Sequence, residues 1–211
     1  FIGPSLRYPN GQFQHSAFAF PTLLQIYFDF FPTHYRLIHS PLNGRYPRAR
    51  YAAGRPFRVD HPLGAAMLIR REAIQAAGLL DEGFFIYAEE VDWCLRMRAA
   101  GWPALCAPAV VVIHHEAQST RQFKEPMFVA LWKSRLRLFD KHYSPTFNRA
   151  ARGLLRLGLS HLRRQAAATL EGEALQCRLT ALGEVERLSR APESAPYLAG
   201  TIPESGASHE Q

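Results

Sequence analysis

Cysteine is scarce in this 211-residue chain. The three present, Cys94, Cys106 and Cys177, are odd in number and widely spaced. That pattern indicates neither a disulfide framework nor a zinc site, and it fits a reducing cytosol. No apolar run approaches the roughly 18 residues that a spanning helix requires. The 211 residues contain no signal-peptide pattern and no internal repeat. Acidic residues are in deficit, 18 against 25 lysines and arginines, for a formal net charge of +7. The imbalance points to an anionic partner: nucleic acid, anionic lipid or a phosphorylated substrate. For nucleic acid, charge is the whole case, since no binding motif accompanies it, so no nucleic-acid partner is expected. What the chain does have is 47% hydrophobic content with 12% aromatics, the composition of a globular domain rather than a disordered one.

The chain opens on Phe1 in an apolar, strand-like run, which reads as a start inside a fold. Pro9-Asn10-Gly11 between two short β-prone runs is a hairpin signal. Residues 22–31 read as a very apolar helix ended by Pro32. Residues 33–56, with Arg36, Arg45, Arg48, Arg50 and Arg55, read as a long basic loop, a class that is functional or mobile when found in a compact domain. A strand is predicted from Leu63 to Ile69, where the small Gly64, Ala65 and Ala66 imply close approach of a ligand or another backbone. A short helix over Arg71–Ala77 ends at Gly78.

The densest polar grouping follows. Glu89, Glu90 and Asp92 fall at the start of a helix over roughly 89–100, just after the aromatic run Phe84, Phe85 and Tyr87. Val91, Leu95 and Ala99 define its predicted buried face. The helix dipole favours acids at such a place, but acids set against buried aromatics are also candidates for raised pKa and general-base work. The run 103–114 is the strongest strand in the chain and ends at His114-His115, which alternation turns to opposite faces. Beyond it lie three helical patterns, 126–143, 146–168 and 173–190, then a Pro/Ser/Gly/Ala tail over 191–211 expected to be disordered. In the second pattern Arg149, Arg152, Arg156 and Arg163 share a face opposite Leu154, Leu155, Leu159 and Leu162. Such a basic amphipathic helix suits an anionic membrane surface.

Several of these pieces, in order, resemble the C-terminal half of a family-2 glycosyltransferase of the GT-A fold, in the rhamnosyltransferase-like branch. They are Ile2-Gly3-Pro4 with Tyr8-Pro9-Asn10-Gly11 and Gln14; Val59-Asp60 with Gly64-Ala65; Gly78-Leu79-Leu80-Asp81-Glu82-Gly83; Glu89-Glu90-Val91-Asp92-Trp93; Gly101-Trp102; and Val112-Ile113-His114-His115. The resemblance covers about residues 1–140. It implies an α/β fold: a partial GT-A-type mixed sheet flanked by helices over 1–122, then C-terminal amphipathic helices over 123–190 as a membrane-associating extension. The implied reaction is an inverting transfer of a sugar from a nucleotide-sugar to a glycan or lipid-linked acceptor, at the cytoplasmic face of the plasma membrane.

Carried onto this chain, the family's general base falls on Glu90, with Asp92 the competing choice and Glu89 in support. Asp60, Gly64 and Ala65 fall on the acceptor side. His114 matches a histidine that completes coordination of Mn²⁺ or Mg²⁺, and Arg121 falls where a pyrophosphate is neutralised. The family's Asp-x-Asp motif is absent from these residues, so the chain is expected to hold the acceptor side and base without most of the donor site. The alternative is a non-catalytic basic module that binds anionic membrane or a partner protein.

Overall fold

The computed structural model describes residues 1–115 and 123–190. A four-stranded mixed sheet forms its first layer, in the order β2-β1-β6-β4. Strand β1 (Ile2–Arg7) runs parallel to β6 (Ala104–Ile113) and turns back at Asn10-Gly11 into β2 (Phe13–Gln14), so the hairpin is present; Leu6 faces Gln14 and Arg7 faces Phe13. Gly11 supplies the positive φ, 80°, that the turn requires. On the far side of β6, β4 (Phe57–Val59) pairs antiparallel. The β1–β6 register jumps between Pro4 and Ser5, whose partners are Ala107 and Val111. Pro4 and Pro108 both lack a donor there, so the ladder bulges where prolines leave it.

The predicted strand over 63–69 is not formed. Its place is taken by a short strand β5 (His61–Pro62), paired with β3 (Ala17–Phe18), and then a turn around Gly64-Ala65. Small, exposed residues cannot bury a strand face, and only Leu68 bridges back, to Ile2. The predicted loop over 33–56 is instead broken into helix α2 (Tyr35–Ile38), a 3-10 turn over Pro41–Asn43, and helix α3 (Arg48–Ala52). His34 and Ser40 cap the first two through side-chain acceptors.

Helix α1 (Leu23–Phe30) is capped by Thr22, and α4 (Arg71–Ala77) ends at Gly78. Helix α5 (Glu89–Ala99) lies between two apolar clusters. One gathers Phe1, Ala17, Val59, Ala104 and Cys106 with Cys94 and Met97 of α5 beneath the sheet. The other joins Val91 of α5 to α1 and to three long helices, α6 (Lys124–His142), α7 (Pro145–Thr169) and α8 (Gly172–Arg190). Two cores explain why α5 has no single buried stripe: Val91, Asp92, Cys94 and Met97 are buried, whereas the predicted Ala99 is exposed. Likewise Phe84 is buried but Phe85 is 85% exposed, so the aromatic run before the acids is only half inside.

The three C-terminal helices share their core with the first 122 residues: Trp132, Leu136, Leu155 and Leu182 pack with Ile26, Phe30 and Phe84. Ser144 caps α7 through Phe147 N, with Pro145 in its first turn. Where α7 crosses α1, a Cβ added to Gly158 would stand 2.2 Å from the Phe30 ring, so the glycine sets the interhelical distance. The predicted basic face of α7 is divided. Arg152 is buried, donating to both oxygens of Asp140 at 2.7 Å and to the Leu188 and Ser189 carbonyls. Arg163 pairs with Glu186, while Arg149 and Arg156 remain exposed. Among the described residues, no helix is long and apolar enough to cross a membrane.

Candidate active site

The entry to α5 is held in an uncommon backbone conformation. Tyr87 and Ala88 both adopt left-handed dihedrals, φ 67° and 64°, each costing on the order of 1–2 kcal/mol for a residue with a Cβ. Surrounding contacts enforce it. Ser134 of α6 donates to the Ile86 carbonyl at 2.7 Å. Asp81 accepts from Arg137 and, at 2.8 Å, from Lys141. Arg137 also lies over the Phe84 ring, 5.2 Å from its centre. The loop that delivers the acids is therefore clamped by α6.

The three acids then diverge. Asp92 points into the protein and is fully buried. It accepts from His142 Nε2 at 2.6 Å, Lys141 Nζ at 2.7 Å and Arg96 Nε at 2.9 Å. Burial opposes its charge, yet His142, Lys141 and Arg96 outweigh burial and hold its carboxyl below the usual value. Arg96 carries on to the Ala77 and Leu79 carbonyls, which ties α5 to the end of α4. With three cationic partners and no exposure, Asp92 serves as an anchor between α5 and α6.

Glu90 has the opposite environment. Its side chain lines a cavity of about 290 Å³ whose wall includes Phe18, Gln25, Arg45, His61, Tyr87 and Arg135. Burial first, then the neighbouring charge of Glu89, push its carboxyl up to about 7; the N–H groups of Glu90 and Val91 favour the charged form without offsetting this. At neutral pH the group is divided between acid and base, the condition in which a carboxylate both takes and returns a proton. Glu89 is half-buried, and its Oε2 makes no hydrogen bond among the described residues.

Gly64 explains part of the cavity's shape. A Cβ at this position would lie 3.3 Å from both Cβ and Cγ of Glu90. The close approach expected of this small residue is thus an approach to the acid's own side chain. Ala65 is exposed in the same turn. Asp60 lies apart from Glu90, in a second cavity of about 320 Å³ with Tyr46, Arg98 and Trp102. There its carboxylate accepts from Phe20 N at 3.0 Å and Arg98 at 3.3 Å. Its neighbour His61 reaches the Glu90 cavity instead, stacked on Phe18 and Phe20. Burial lowers His61 to about 4, against the pull of the Pro62 carbonyl, so the imidazole is neutral at physiological pH.

His114 sits at the end of β6, its N–H bonded to Arg7 and its Nδ1 3.2 Å from Gln14 Oε1. His115 is exposed. Among the described residues, no three His, Cys, Asp or Glu side chains converge to hold a metal. One imidazole beside an amide is too small a donor set for Mn²⁺ or Mg²⁺, which take mainly oxygen ligands in six-coordinate shells. The described residues therefore do not fit the expected cation, and no chemical step is derived through one. Arg121 lies outside the described residues, as does the tail over 191–211.

Sequence reasoning missed Ser134, Lys141, His142 and His61. The first three are polar positions of a helix that looks self-contained in sequence, and their partners lie 48 to 60 residues away. His61 carried a signal, a histidine next to Pro62 at the start of an apolar run, but nothing local shows which cavity it faces.

The acid pair at a clamped helix start has counterparts in known proteins. An N-acetylglucosaminyl-diphospho-decaprenol L-rhamnosyltransferase of Mycobacterium tuberculosis is 31% identical over 150 residues, covering 67% of this chain and 46% of that protein. This chain is homologous to rhamnosyltransferase-like family-2 glycosyltransferases. Rhamnosyltransferase WbbL of Escherichia coli K12 is 34% identical over 70 residues, 33% of this chain and 26% of its own length. A hexosyltransferase of low-salt glycan biosynthesis in Haloferax volcanii is 28% identical over 92 residues, 43% of this chain and 30% of its own. The chain spans about half the length of the first of these relatives. No protein-family model and no solved structure matches it. The mixed sheet flanked by helices is consistent with part of the GT-A fold that the resemblance implied.

Proposed function

We propose that this chain carries the acceptor side of an inverting glycosyl transfer, with Glu90 as general base. The acceptor hydroxyl enters the Glu90 cavity, and its oxygen attacks the anomeric carbon of a nucleotide-sugar. Glu90 takes the hydroxyl proton as the new C–O bond forms, and the bond to the nucleoside diphosphate breaks with its electron pair leaving on the phosphate oxygen. Glu89 keeps Glu90 basic through its charge, while Asp92 holds the helix that aims it. The observation that carries this reading is a single carboxyl, raised to about 7 and facing a cavity, at the start of a clamped helix. A lipid-linked sugar diphosphate is the acceptor class, following the name of the mycobacterial relative. Peripheral contact with an anionic membrane agrees with exposed Leu24, Tyr27 and Leu157 on packed helices α1 and α7, next to exposed Arg156 and Arg164.

The test is sugar transfer by the protein as the cell makes it, to a prenyl-diphosphate-linked N-acetylglucosamine acceptor. Glu90→Gln is expected to lower kcat by about 10²–10⁴-fold with the fold intact. A kcat unchanged in that variant would remove Glu90 from the mechanism.

A further inference from the structure

The arginine-rich segment over 33–56 is not accounted for by the acid pair, yet it reaches the same cavity. Arg45 lines that cavity together with Glu90 and bridges backbone to backbone with Phe18 of β3. From there the positive groups continue outward. Arg45 Nη1 lies 3.0 Å from His39 Nδ1. The His39 ring stacks on His15 at 6.3 Å, and His15 meets Phe13 edge-on at 4.9 Å. Arg48 lies over the other end of this row, 4.8 Å from the centre of the Phe13 ring.

The row is built from three separate stretches of chain, and its cationic members are reachable: His39 and Arg48 are exposed and Arg45 is half-buried. Its field is strongly positive. His15 is held down at about 4, by burial first and then by the charges of Arg45, Arg48 and His39, with no carboxylate acting on it. His15 Nδ1 is buried and has no partner among the described residues. Among the described residues, Arg48 makes no ion pair; its contact is the Phe13 ring. Cations gathered without acids lower the stability of a fold unless an anion joins them. Guanidinium and imidazole N–H groups at this spacing match the oxygens of a phosphate ester, and two arginines match two phosphates.

We propose that Arg45, Arg48, His39 and His15 form a diphosphate-binding rim on the Glu90 cavity, so that the group delivered to the base carries a diphosphate. The anion site stands on its own geometry; its role in delivering a sugar or a hydroxyl rests on the reading of Glu90 given above. A diphosphate has two sources in such a reaction, the prenyl diphosphate of an acceptor and the nucleoside diphosphate of a donor.

Calorimetric titration of the whole chain with inorganic pyrophosphate tests the rim directly. Arg48→Gln, and the double variant with Arg45→Gln, are expected to weaken binding by about tenfold or more, whereas exposed Arg71→Gln on α4 changes it less than twofold. The single Arg48→Gln removes only a surface contact with Phe13, so it keeps the test valid if the double variant misfolds. Glu90→Gln leaves pyrophosphate affinity in place, which separates failure of the base from failure of the rim. Competition by a short-chain prenyl diphosphate, or by a nucleoside diphosphate, then identifies the source, and either result supports the site. Pyrophosphate that does not bind, affinity equally insensitive to Arg48 and Arg71, or competition by neither organic diphosphate would overturn it.

Discussion

Replacing Glu90 by Gln separates what the acid costs the fold from what it does in chemistry. In the unfolded chain this carboxyl titrates near 4.5, and in the fold near 7. Because the folded value is the higher one, the site's contribution to stability is full below about 4.5 and is lost as pH rises through about 7. At about 1.4 kcal/mol per pKa unit, discounted for the part of the side chain open to the cavity, the loss between pH 5 and pH 8 is on the order of 2 kcal/mol. Gln has a similar shape and no charge, so that loss disappears in the variant. The stability difference between variant and parent should therefore widen in the variant's favour by about 2 kcal/mol from pH 5 to pH 8. In a chain of this length that is a relative gain of roughly 4–8 °C in Tm. Urea titrations and thermal melts of both proteins at several pH values across that interval measure it, and no sugar substrate is needed. Glu89→Gln should produce a smaller widening, since it removes the second cause of the shift and leaves the burial. Parallel stability curves for Glu90→Gln and its parent would refute the argument, because they would mean that Glu90 ionises in the fold as freely as in water.

Gly64→Ala should move the base without unfolding the protein. Its Cβ would press on Glu90 Cβ and Cγ at 3.3 Å, and a displacement of a few tenths of an ångström at a base costs about tenfold in kcat, with Tm shifted by only a few degrees; a transfer assay showing full kcat would mean that Glu90 tolerates the shift. Asp92→Asn should cost about 3–5 kcal/mol, because His142, Lys141 and Arg96 lose the carboxylate they converge on, as read from denaturant midpoints at neutral pH. The difference from the parent should shrink as pH falls through the carboxylate range, since a lowered pKa gives stability that is present above the unfolded value and lost below it.

Legibility from sequence followed the range of the interactions. The hairpin at Asn10-Gly11, strand β6 and helices α4 to α8 were readable because turn chemistry, β-branched runs and caps act over a few residues. The same applies to the acids at the start of α5, although their sequence treated Glu89, Glu90 and Asp92 alike. What separated them is long-range: α6 reaches back with Lys141 and His142 to occupy Asp92, and the 61–64 turn closes on Glu90. The strand expected over 63–69 failed for a local reason, since small residues in alternation with Leu and Met do not specify a buried face. The burial of Ala99 was overestimated because a one-stripe helix was assumed where two cores meet. Arg152 looked like part of a solvated basic face, and only Asp140 and the end of α8 show that it is an interior residue.

Helix α5 is a wall common to both apolar clusters, and this sets how the site breathes. A segment that packs on one side alone can open locally while the rest of the domain stays closed. For α5 to detach, Val91 must leave the helical cluster and Cys94 and Met97 must leave the sheet, and the ion cluster around Asp92 must open with them. The amide protons of α5 are thus coupled to the slowest, global opening of the molecule, and should exchange with solvent deuterium at the rate of full unfolding. The turn around Gly64 and the segment carrying His39 and Arg48 have no such double attachment. The two sides of the cavity therefore run on different clocks: a fixed acid on one wall, and an opposite wall free to adjust to whatever is brought to it.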